Sequence, residues 1–416
     1  MHLVFLNQYF PPDEAPTGVM LEGVAAQAVK NGHRVTIICS EGGYAVSEQS
    51  NTTITPESAD YQMIRIRTSK LGRRTFLGKV IDYLAFYVGV AIQLAVLENR
   101  PDRIIALTTP PYLSVLARFF SKFYGGTHAH WVMDLYPDVM DAHGMLKPGS
   151  LSQTILKSLT RWGFGGARNA GVLTLGPDMD QRTAAYLNPS CRHHWVPLWS
   201  TTENSATEAE ISAWRKSKGW KSEKRLVMYS GNMGLGHRFG EFLDAIESLS
   251  SDPTNQYHFV FCGDGKRRKE IEEFLLRNPQ APIELTDYVP RSELHIHLSC
   301  ADVHLASMEP RWDGTMVPSK IQGIFAMGRP VIFVGSRESS IGQWITESGG
   351  GWVIAPDETP DLIEILKDSN WHVECLERGE RAKKYAEQHF SESRNASGIT
   401  SFFTVVSPSD PAYAEK

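Results

Sequence analysis

Residues 313–335 read DGTMVPSKIQGIFAMGRPVIFVG. A polar Gly/Pro loop runs into Pro318-Ser319-Lys320, a short apolar segment follows, and Gly328-Arg329-Pro330 turns the chain into the apolar run Val331-Ile332-Phe333-Val334. Helix entry, helix, turn and strand in that order is the signature of an α/β unit. Pro318 at the helix entry leaves the first amides unpaired, and Lys320 adds a cation in the same turn. The spacing therefore predicts an anion pocket of the kind phosphates use, floored by a helix between Lys320 and Met327. The same residues also fit an ordinary α/β unit whose Pro and Gly only set the direction of the chain.

Upstream, the grammar repeats. The apolar run 225–229 meets Ser230-Gly231-Asn232-Met233-Gly234-Leu235-Gly236-His237-Arg238. Its three glycines at a strand-to-helix junction let backbone amides turn toward an anion. A second strand, 258–262, ends at Gly263-Asp264-Gly265-Lys266. Helices at 266–276 and 291–299, strands at 283–285 and 302–306, and Tyr288-Val289-Pro290 between them lead back to the opening stretch. Downstream, a helix at 341–348 ends at three glycines, 352–354 is the last strand, and helices at 360–368, 372–389 and 392 to about 406 finish the chain. These alternations predict a doubly wound α/β domain.

The first half starts the same series afresh. A strand at 2–6, a helix entered through Ala15-Pro16-Thr17-Gly18 and a strand at 34–39 make a βαβ unit. Gly18 sits where a backbone amide can approach a ligand, although one glycine is not a G-x-G-x-x-G fingerprint. Residues 41–60 read as a surface loop, and 63–67 as a strand. Lys70, Arg73, Arg74 and Lys79 then precede a helix at 76–98. That helix reads as packed in the domain core; the other reading is a basic, apolar surface resting on anionic lipid. Strands at 103–107 and 128–133 follow, with a helix at 112–123 between them and a short strand at 173–175 later. Ligands of open α/β sheets bind at the carboxyl ends of strands, which puts Asn7, Thr108, Asp134 and His143 on one side of this domain. Pro197 and the Ser/Thr/Glu-rich 200–210 mark the boundary.

The chain has 416 residues, more than one core of usual size holds, so two domains are expected. Charged residues are 21% and apolar residues 42%, a globular composition. Net charge is −5, which does not suggest a nucleic-acid binder. Five scattered cysteines without a CxxC pair read as reduced core thiols of a cytoplasmic protein. Met1 leads directly into a strand, so no signal peptide is expected, and the longest apolar run, 83–97, is too short to span a bilayer.

In order and spacing, YFPPDEAPTG, HWVMDLYPDVMDAHGML, YSGNMGLGH, FCGDG and VPSKIQGIFAMGRPVIFVG resemble the family-four nucleotide-sugar glycosyltransferases of bacterial surface-polysaccharide type. The resemblance covers roughly residues 1–400. It implies the GT-B fold of two doubly wound, Rossmann-like domains: an acceptor-binding domain at 1–200, a donor-binding domain at 205–385, and a C-terminal helix at 386–406 crossing back onto the first. Carried over by position, Gly231, Asn232 and Gly234 line the diphosphate, Gly263 and Gly265 border the nucleotide, and Tyr288 and Val289 read the base. Pro318, Ser319 and Lys320 face phosphate and sugar, and Gly18 lies on a loop that closes over the diphosphate.

Two family glutamates should lie near 315 and 323, where this chain has Thr315 and Gly323. The ribose contact is then missing or supplied elsewhere, with Glu309 and Asp313 as substitutes for the first glutamate. The usual basic pair is not obvious; His237, Arg238 and Lys320 stand in, although His237 and Arg238 also fit as plain surface residues. The resemblance implies retention of configuration with no metal and no cofactor beyond the nucleoside-diphosphate sugar, and the leaving phosphate can take the acceptor proton. A protein base would be Asp134, a carboxylate at the end of an apolar strand, unless it only caps its own loop. His143 is second, a lone His more often being structural. The expected acceptor is a lipid-linked saccharide or a small molecule, with weak peripheral membrane contact through 70–98 at the inner face of the membrane. A nucleotide-sugar epimerase or a non-catalytic nucleotide-sugar-binding subunit is the alternative on the same fold.

Overall fold

The computed structural model describes residues 1–13, 15–41, 61–68, 76–201, 206–250 and 256–405. Nearly all of the loop expected at 41–60, the basic residues Lys70, Arg73 and Arg74, and the side chain of Lys79 lie outside what it describes.

The chain divides into two compact units, Met1–Pro197 together with the chain from Glu392 onward, and Leu198–Ser391. In the first, seven parallel strands are β1 (His2–Leu6), β2 (Arg34–Ser40), β3 (Tyr61–Ile66), β4 (Arg103–Ala106), β5 (Thr127–Trp131), β6 (Asn169–Thr174) and β7 (His193–Trp195). They lie in the order β3-β2-β1-β4-β5-β6-β7. In the second, β8 (Arg225–Ser230), β9 (Tyr257–Cys262), β10 (Ile283–Thr286), β11 (Val303–Ser307), β12 (Val331–Val334) and β13 (Gly351–Ile354) lie in the order β10-β9-β8-β11-β12-β13. Both sheets change winding direction at their first strand, and the crevice at that switch point is where such sheets bind ligands.

Alternation along β1 sorts the first unit into layers. Val4 and Leu6 join a core with Phe86, Val90 and Leu94 of the helix Phe76–Ala95 and Leu113, Ala117 and Phe120 of the helix Leu113–Tyr124. Phe5 instead meets Phe403 edge-on at 6.3 Å, on the helix Glu392–Thr404. Buried Arg103 fixes that helix from β4: Nη1 donates to the carbonyls of Phe403 and Val405, and Nε to the Thr127 hydroxyl at 2.9 Å. A guanidinium suits a helix C-terminus, where carbonyls run out of partners. Asn395 adds a bond to the Pro197 carbonyl at 3.0 Å.

The helix expected at 76–98 departs from its core reading. Only one stripe of Phe76–Ala95 is buried, while Ile81, Leu84, Val88 and Ile92 are exposed. An outer-layer helix has the sheet on one side, so apolar residues all round it cannot all be covered. The sequence reading also passed over the helix Leu151–Phe164, which packs beside Leu113–Tyr124. No described helix is long and apolar enough to cross a membrane.

In the second unit, Tyr229, Phe239, Phe242, Phe259 and Phe261 fill one side of the sheet, and Trp220, Met228, Val260 and Cys300 the other. Asp302 ties β8 to β11, accepting the Leu226 amide and Arg215 Nη2, each at 2.7 Å. All five cysteines are free thiols, four of them buried.

Candidate functional site

The carboxyl ends of β8 and β9 in the second unit are built from glycines that no other residue can replace without displacement. Gly231 has φ +125, and a Cβ on it would stand 2.8 Å from Lys320 Cε. Gly263, at φ +136, would place a Cβ 2.1 Å from the Gly231 carbonyl oxygen, and Gly265, at φ +148, one 2.5 Å from the Met233 carbonyl. The two loops are laced by backbone bonds, Gly231 N to Cys262 O at 2.9 Å and Met233 N to Asp264 O at 2.8 Å. Tyr288 follows β10 and closes the same corner, its hydroxyl donating to Asp264 O at 3.1 Å; Val289 is next along the chain. Asn232 is exposed at the rim, and Gly234 lies beneath its side chain.

Lys320 reaches into this corner. Its ammonium donates to the Tyr229 hydroxyl and, at 3.0 Å, to the Asn232 carbonyl, and it lies 3.8 Å from the centre of the Tyr229 ring. Among the described residues no carboxylate forms an ion pair with it. Burial holds it well below the usual lysine range, because a charge leaving water gains too little from two neutral oxygens and a ring face. The helix is shorter than expected. It runs Lys320–Ala326, with Ser319 as a cap whose side chain makes no capping bond and Pro318 outside it. Seven residues give little dipole, so the positive field here comes mainly from the lysine itself.

The other expected cations are committed elsewhere. Arg238 donates to Glu241, to Glu309 at 3.2 Å and to Asp357 at 2.7 Å, and these carboxylates raise it above its ordinary range. Its surface reading is corrected too, since three carboxylates pin it in place. His237 is buried, and its Nδ1 must carry the proton it donates to the Ser307 carbonyl at 2.7 Å. Burial and the Lys320 charge push it down to about 3, so it is neutral and cannot offset a phosphate near neutral pH. Arg267, which the sequence reading did not single out, bonds Glu270 at 2.6 Å, Glu309 at 3.1 Å and the His237 carbonyl. Glu309 is thus held between two guanidiniums, and Asp313 ends the short turn Pro310–Trp312. Thr315, fully buried, turns its hydroxyl to the Trp312 carbonyl at 2.7 Å, and Gly323 lies within the Lys320 helix.

A cavity of about 920 Å³ opens at the amino ends of β8, β11 and β12, lined by Arg215, Trp220, Asp302 and Arg329 among others. It has volume but lacks the glycine loops, and Arg215 is already paired with Asp302 there.

In the first unit Asp134 leaves the end of β5, its amide and that of Met133 donating to Thr108 Oγ1 at 3.1 and 3.3 Å. The carboxylate lines a cavity of about 20 Å³ with Thr108, Tyr112, His130, Tyr136 and Thr160, room for about one water. Burial raises it to about 6. Tyr83 and Tyr136 lie within its electrostatic reach, and burial holds both phenols above their ordinary range, so they remain proton donors. Tyr112, at φ 67, is a rare non-glycine residue in the left-handed region, a strain typical of working sites. Asp138, further along the same loop, accepts from Arg182 Nε at 2.7 Å and from the Tyr186 hydroxyl. His143 is exposed at the end of the helix Asp138–Ala142. Asn7 is buried, its amide donating to Tyr9 O at 2.6 Å. Gly18 is buried in the first turn of Pro16–Lys30, its amide spent on Ala15 O at 2.9 Å, and its missing Cβ makes room for the Tyr9 backbone.

Residues 224–368, which hold both glycine loops and Lys320, match the family model described as Glycosyl transferases group 1. Over 388 residues, 93% of this chain and 94% of the relative, the sequence is 21% identical to the probable glycosyltransferase WbjE of Pseudomonas aeruginosa. WaaG, a glycosyltransferase involved in lipopolysaccharide biosynthesis, superposes with a TM-score of 0.65 at 16% identity, covering 98% of this chain and 100% of its own. Alr3699/HepE of Anabaena, solved in complex with UDP and glucose, superposes with a TM-score of 0.66 at 14% identity, covering 96% and 98%. The fold shared with these structures is GT-B.

Proposed function

We propose that this GT-B glycosyltransferase takes its sugar from a nucleoside diphosphate held by the second unit and delivers it to an acceptor hydroxyl, with retention of configuration and without a metal ion. One observation carries the reading: Lys320 is a half-buried ammonium with no carboxylate partner among the described residues, set against two interlocked glycine loops. A desolvated cation costs stability unless an anion meets it, and a diphosphate beside Gly231 and Asn232 would be that anion. The Anabaena neighbour's complexes with UDP and with UDP-glucose support the same class of donor.

The chemistry follows from charge. As the bond to the sugar breaks, the β-phosphate gains negative charge, and the Lys320 ammonium strengthens its hold on it. A preorganised donor of this kind contributes about 3 to 4 kcal/mol of transition-state stabilisation. No divalent ion is needed if the lysine meets that charge. In a retaining reaction the acceptor attacks from the face the leaving group departs, so the departing phosphate can accept the proton. Asp134, with its raised pKa and its neighbouring phenols, is the protein group suited to orient an acceptor hydroxyl and share that proton.

Lys320→Ala tests the reading. Nucleoside-diphosphate binding, followed by thermal shift and titration, should weaken at least tenfold, and transfer should slow about a hundredfold, with the fold intact. Slow release of nucleoside diphosphate from the donor without acceptor, seen in the parent, would separate a transferase from a binding subunit. Parent-like binding and turnover in Lys320→Ala would end the assignment.

A further inference from the structure

The cavity of about 920 Å³ in the second unit lies at the opposite end of the sheet from the glycine loops, and its size is that of a small-molecule pocket. The helices Glu208–Ser217 and Trp371–His389 line it, together with the turn 327–329 that joins the Lys320 helix to β12. One side chain there is not explained by the protein around it. Arg329 Nε is fully buried without a hydrogen bond, and among the described residues no carboxylate forms an ion pair with the guanidinium. Burial holds it below the ordinary arginine range, although Asp302 and Glu208 act in the other direction through space. The other half-buried arginines of this unit end on oxygens. Arg215 meets the Cys300 carbonyl at 2.9 Å and Asp302 at 2.7 Å, Arg225 meets the Leu366 carbonyl, and Arg378 meets Glu374 at 2.9 Å and the Gly351 carbonyl at 3.0 Å.

The surroundings of Arg329 say what would satisfy it. A guanidinium taken out of water without a partner costs stability, and an oxyanion received by its forked N–H groups offsets that cost. Asp302 cannot serve, because its two oxygens already hold Arg215 and the Leu226 amide, each at 2.7 Å. Glu208, Glu223 and Glu380 also line the cavity, but they are exposed and solvated. Lys383 brings a second cation to the same turn: a Cβ on Gly328 would stand 3.5 Å from its Cδ, and no described carboxylate pairs with it. The remaining lining includes Ile211 and Met327, both buried, and Leu376, 58% exposed. Two unpaired cations beside apolar walls suit a ligand with a charged head and an apolar body.

We propose that this cavity is a second binding site, for a small organic oxyanion, a phosphate or carboxylate on an apolar body, with Arg329 and Lys383 on the charged head and Ile211 and Met327 against the body. It is distinct from the donor corner and does not rest on the glycosyltransferase reading.

The experiment is calorimetric titration of the full chain with phenyl phosphate and with benzoate, with phenol as the uncharged control and a saturating nucleoside diphosphate present to occupy the Lys320 corner. At least one of the two anions should bind and phenol should not; phenyl phosphate alone marks a phosphate site, and benzoate alone a carboxylate site. Arg329→Met should weaken that binding at least tenfold, the loss expected for a hydrogen-bonded charge, and Lys383→Met should weaken it less. Lys320→Ala should bind the same probe as the parent does. Without any probe, Arg329→Met should melt no lower than the parent, because methionine keeps the apolar bulk and removes an unpaired charge. A parent that takes up neither anion overturns the proposal, as does phenol binding as tightly as the anions. Binding lost in Lys320→Ala but kept in Arg329→Met would move the probe to the donor corner. A melting temperature several degrees lower in Arg329→Met would make the arginine a structural residue, and the site would fail with it. If nucleoside diphosphate does not bind, Lys320→Ala still separates the two sites, so this proposal and the donor reading fail independently.

Discussion

Gly231 passes directly beneath Lys320, close enough that a methyl group on the glycine would stand 2.8 Å from the lysine Cε. The contact and the positive φ of +125 act together. Gly231→Ala forces either the backbone out of a conformation that L-residues rarely adopt or the lysine off Tyr229. The expected cost is about 1–3 kcal/mol of stability by denaturant titration, with nucleoside-diphosphate affinity falling at least tenfold. Gly240→Ala, whose Cβ would meet nothing within 4 Å, should change neither. Equal affinity in Gly231→Ala and the parent would mean that the lysine is not held for the ligand by this contact.

What the sequence revealed, and what it hid, divides along a physical line. The strands were legible because buried parallel strands are written as short apolar runs ending in Gly or Pro, and the glycine loops because glycine is the default residue where φ is positive. The positions of Lys320, Gly231, Gly263 and Tyr288 in sequence therefore translate into one corner of the second unit. Partnership was not legible. Arg238 and His237 look like phosphate ligands in a string of letters, yet one is consumed by Glu241, Glu309 and Asp357 and the other by the Ser307 carbonyl. These partners lie up to 119 residues away, and no local pattern encodes such pairing. Arg267 was missed for the same reason. The exposed stripe of Phe76–Ala95 was misread because hydrophobicity all round a helix does not say which side has a neighbour.

The state of the Lys320 proton gives a second test. Burial sets its pKa well below the ordinary 10.5 in the unliganded protein, and a bound diphosphate must raise it again. Binding then takes up a proton wherever the pH lies between the two values. Calorimetric titration of a nucleoside diphosphate in two buffers of different ionisation enthalpy, at mildly alkaline pH, should show net uptake in the parent and a smaller one in Lys320→Met. The same depressed pKa means that the unfolded chain binds more protons, so the parent should gain stability relative to Lys320→Met as pH rises toward 10.5. Identical uptake in both proteins would place the linked proton on another group.

Glu309 is expected to act as a support, because both carboxylate oxygens are engaged, Oε2 with Arg238 at 3.2 Å and Oε1 with Arg267 at 3.1 Å. Glu309→Gln removes one charge from a cluster in which each arginine keeps another carboxylate, Glu241 and Glu270 respectively. The expected loss is about 1–3 kcal/mol of stability, with donor affinity reduced less than fivefold and partly restored in Glu309→Asp. A donor KM that rises more than tenfold with stability unchanged would show instead that Glu309 touches the donor, as a substitute for the family glutamate expected near 315.

Asp134 yields the sharpest pH prediction. Its carboxyl is raised to about 6 by burial, from an ordinary value of 3.8, so between those values the folded protein holds a proton that the unfolded chain has released. Stability therefore falls as pH rises from about 4 to about 6 and stays lowered above. The size follows from about 1.4 kcal/mol per pKa unit, hence roughly 1–3 kcal/mol once partial solvent access is allowed for. Asp134→Asn should match the parent in denaturant titrations near pH 4 and exceed it by that margin near pH 7. Catalysis should move the other way. If the carboxylate shares the acceptor proton, transfer in the parent rises with pH through about 6, and Asp134→Asn loses the rise and at least a hundredfold in kcat. A variant that gains the stability but loses less than tenfold in kcat would assign the proton to the departing phosphate and leave Asp134 with orientation alone. A variant that gains no stability at pH 7 would show that the carboxylate is hydrated, and the argument for its raised pKa would fail with it.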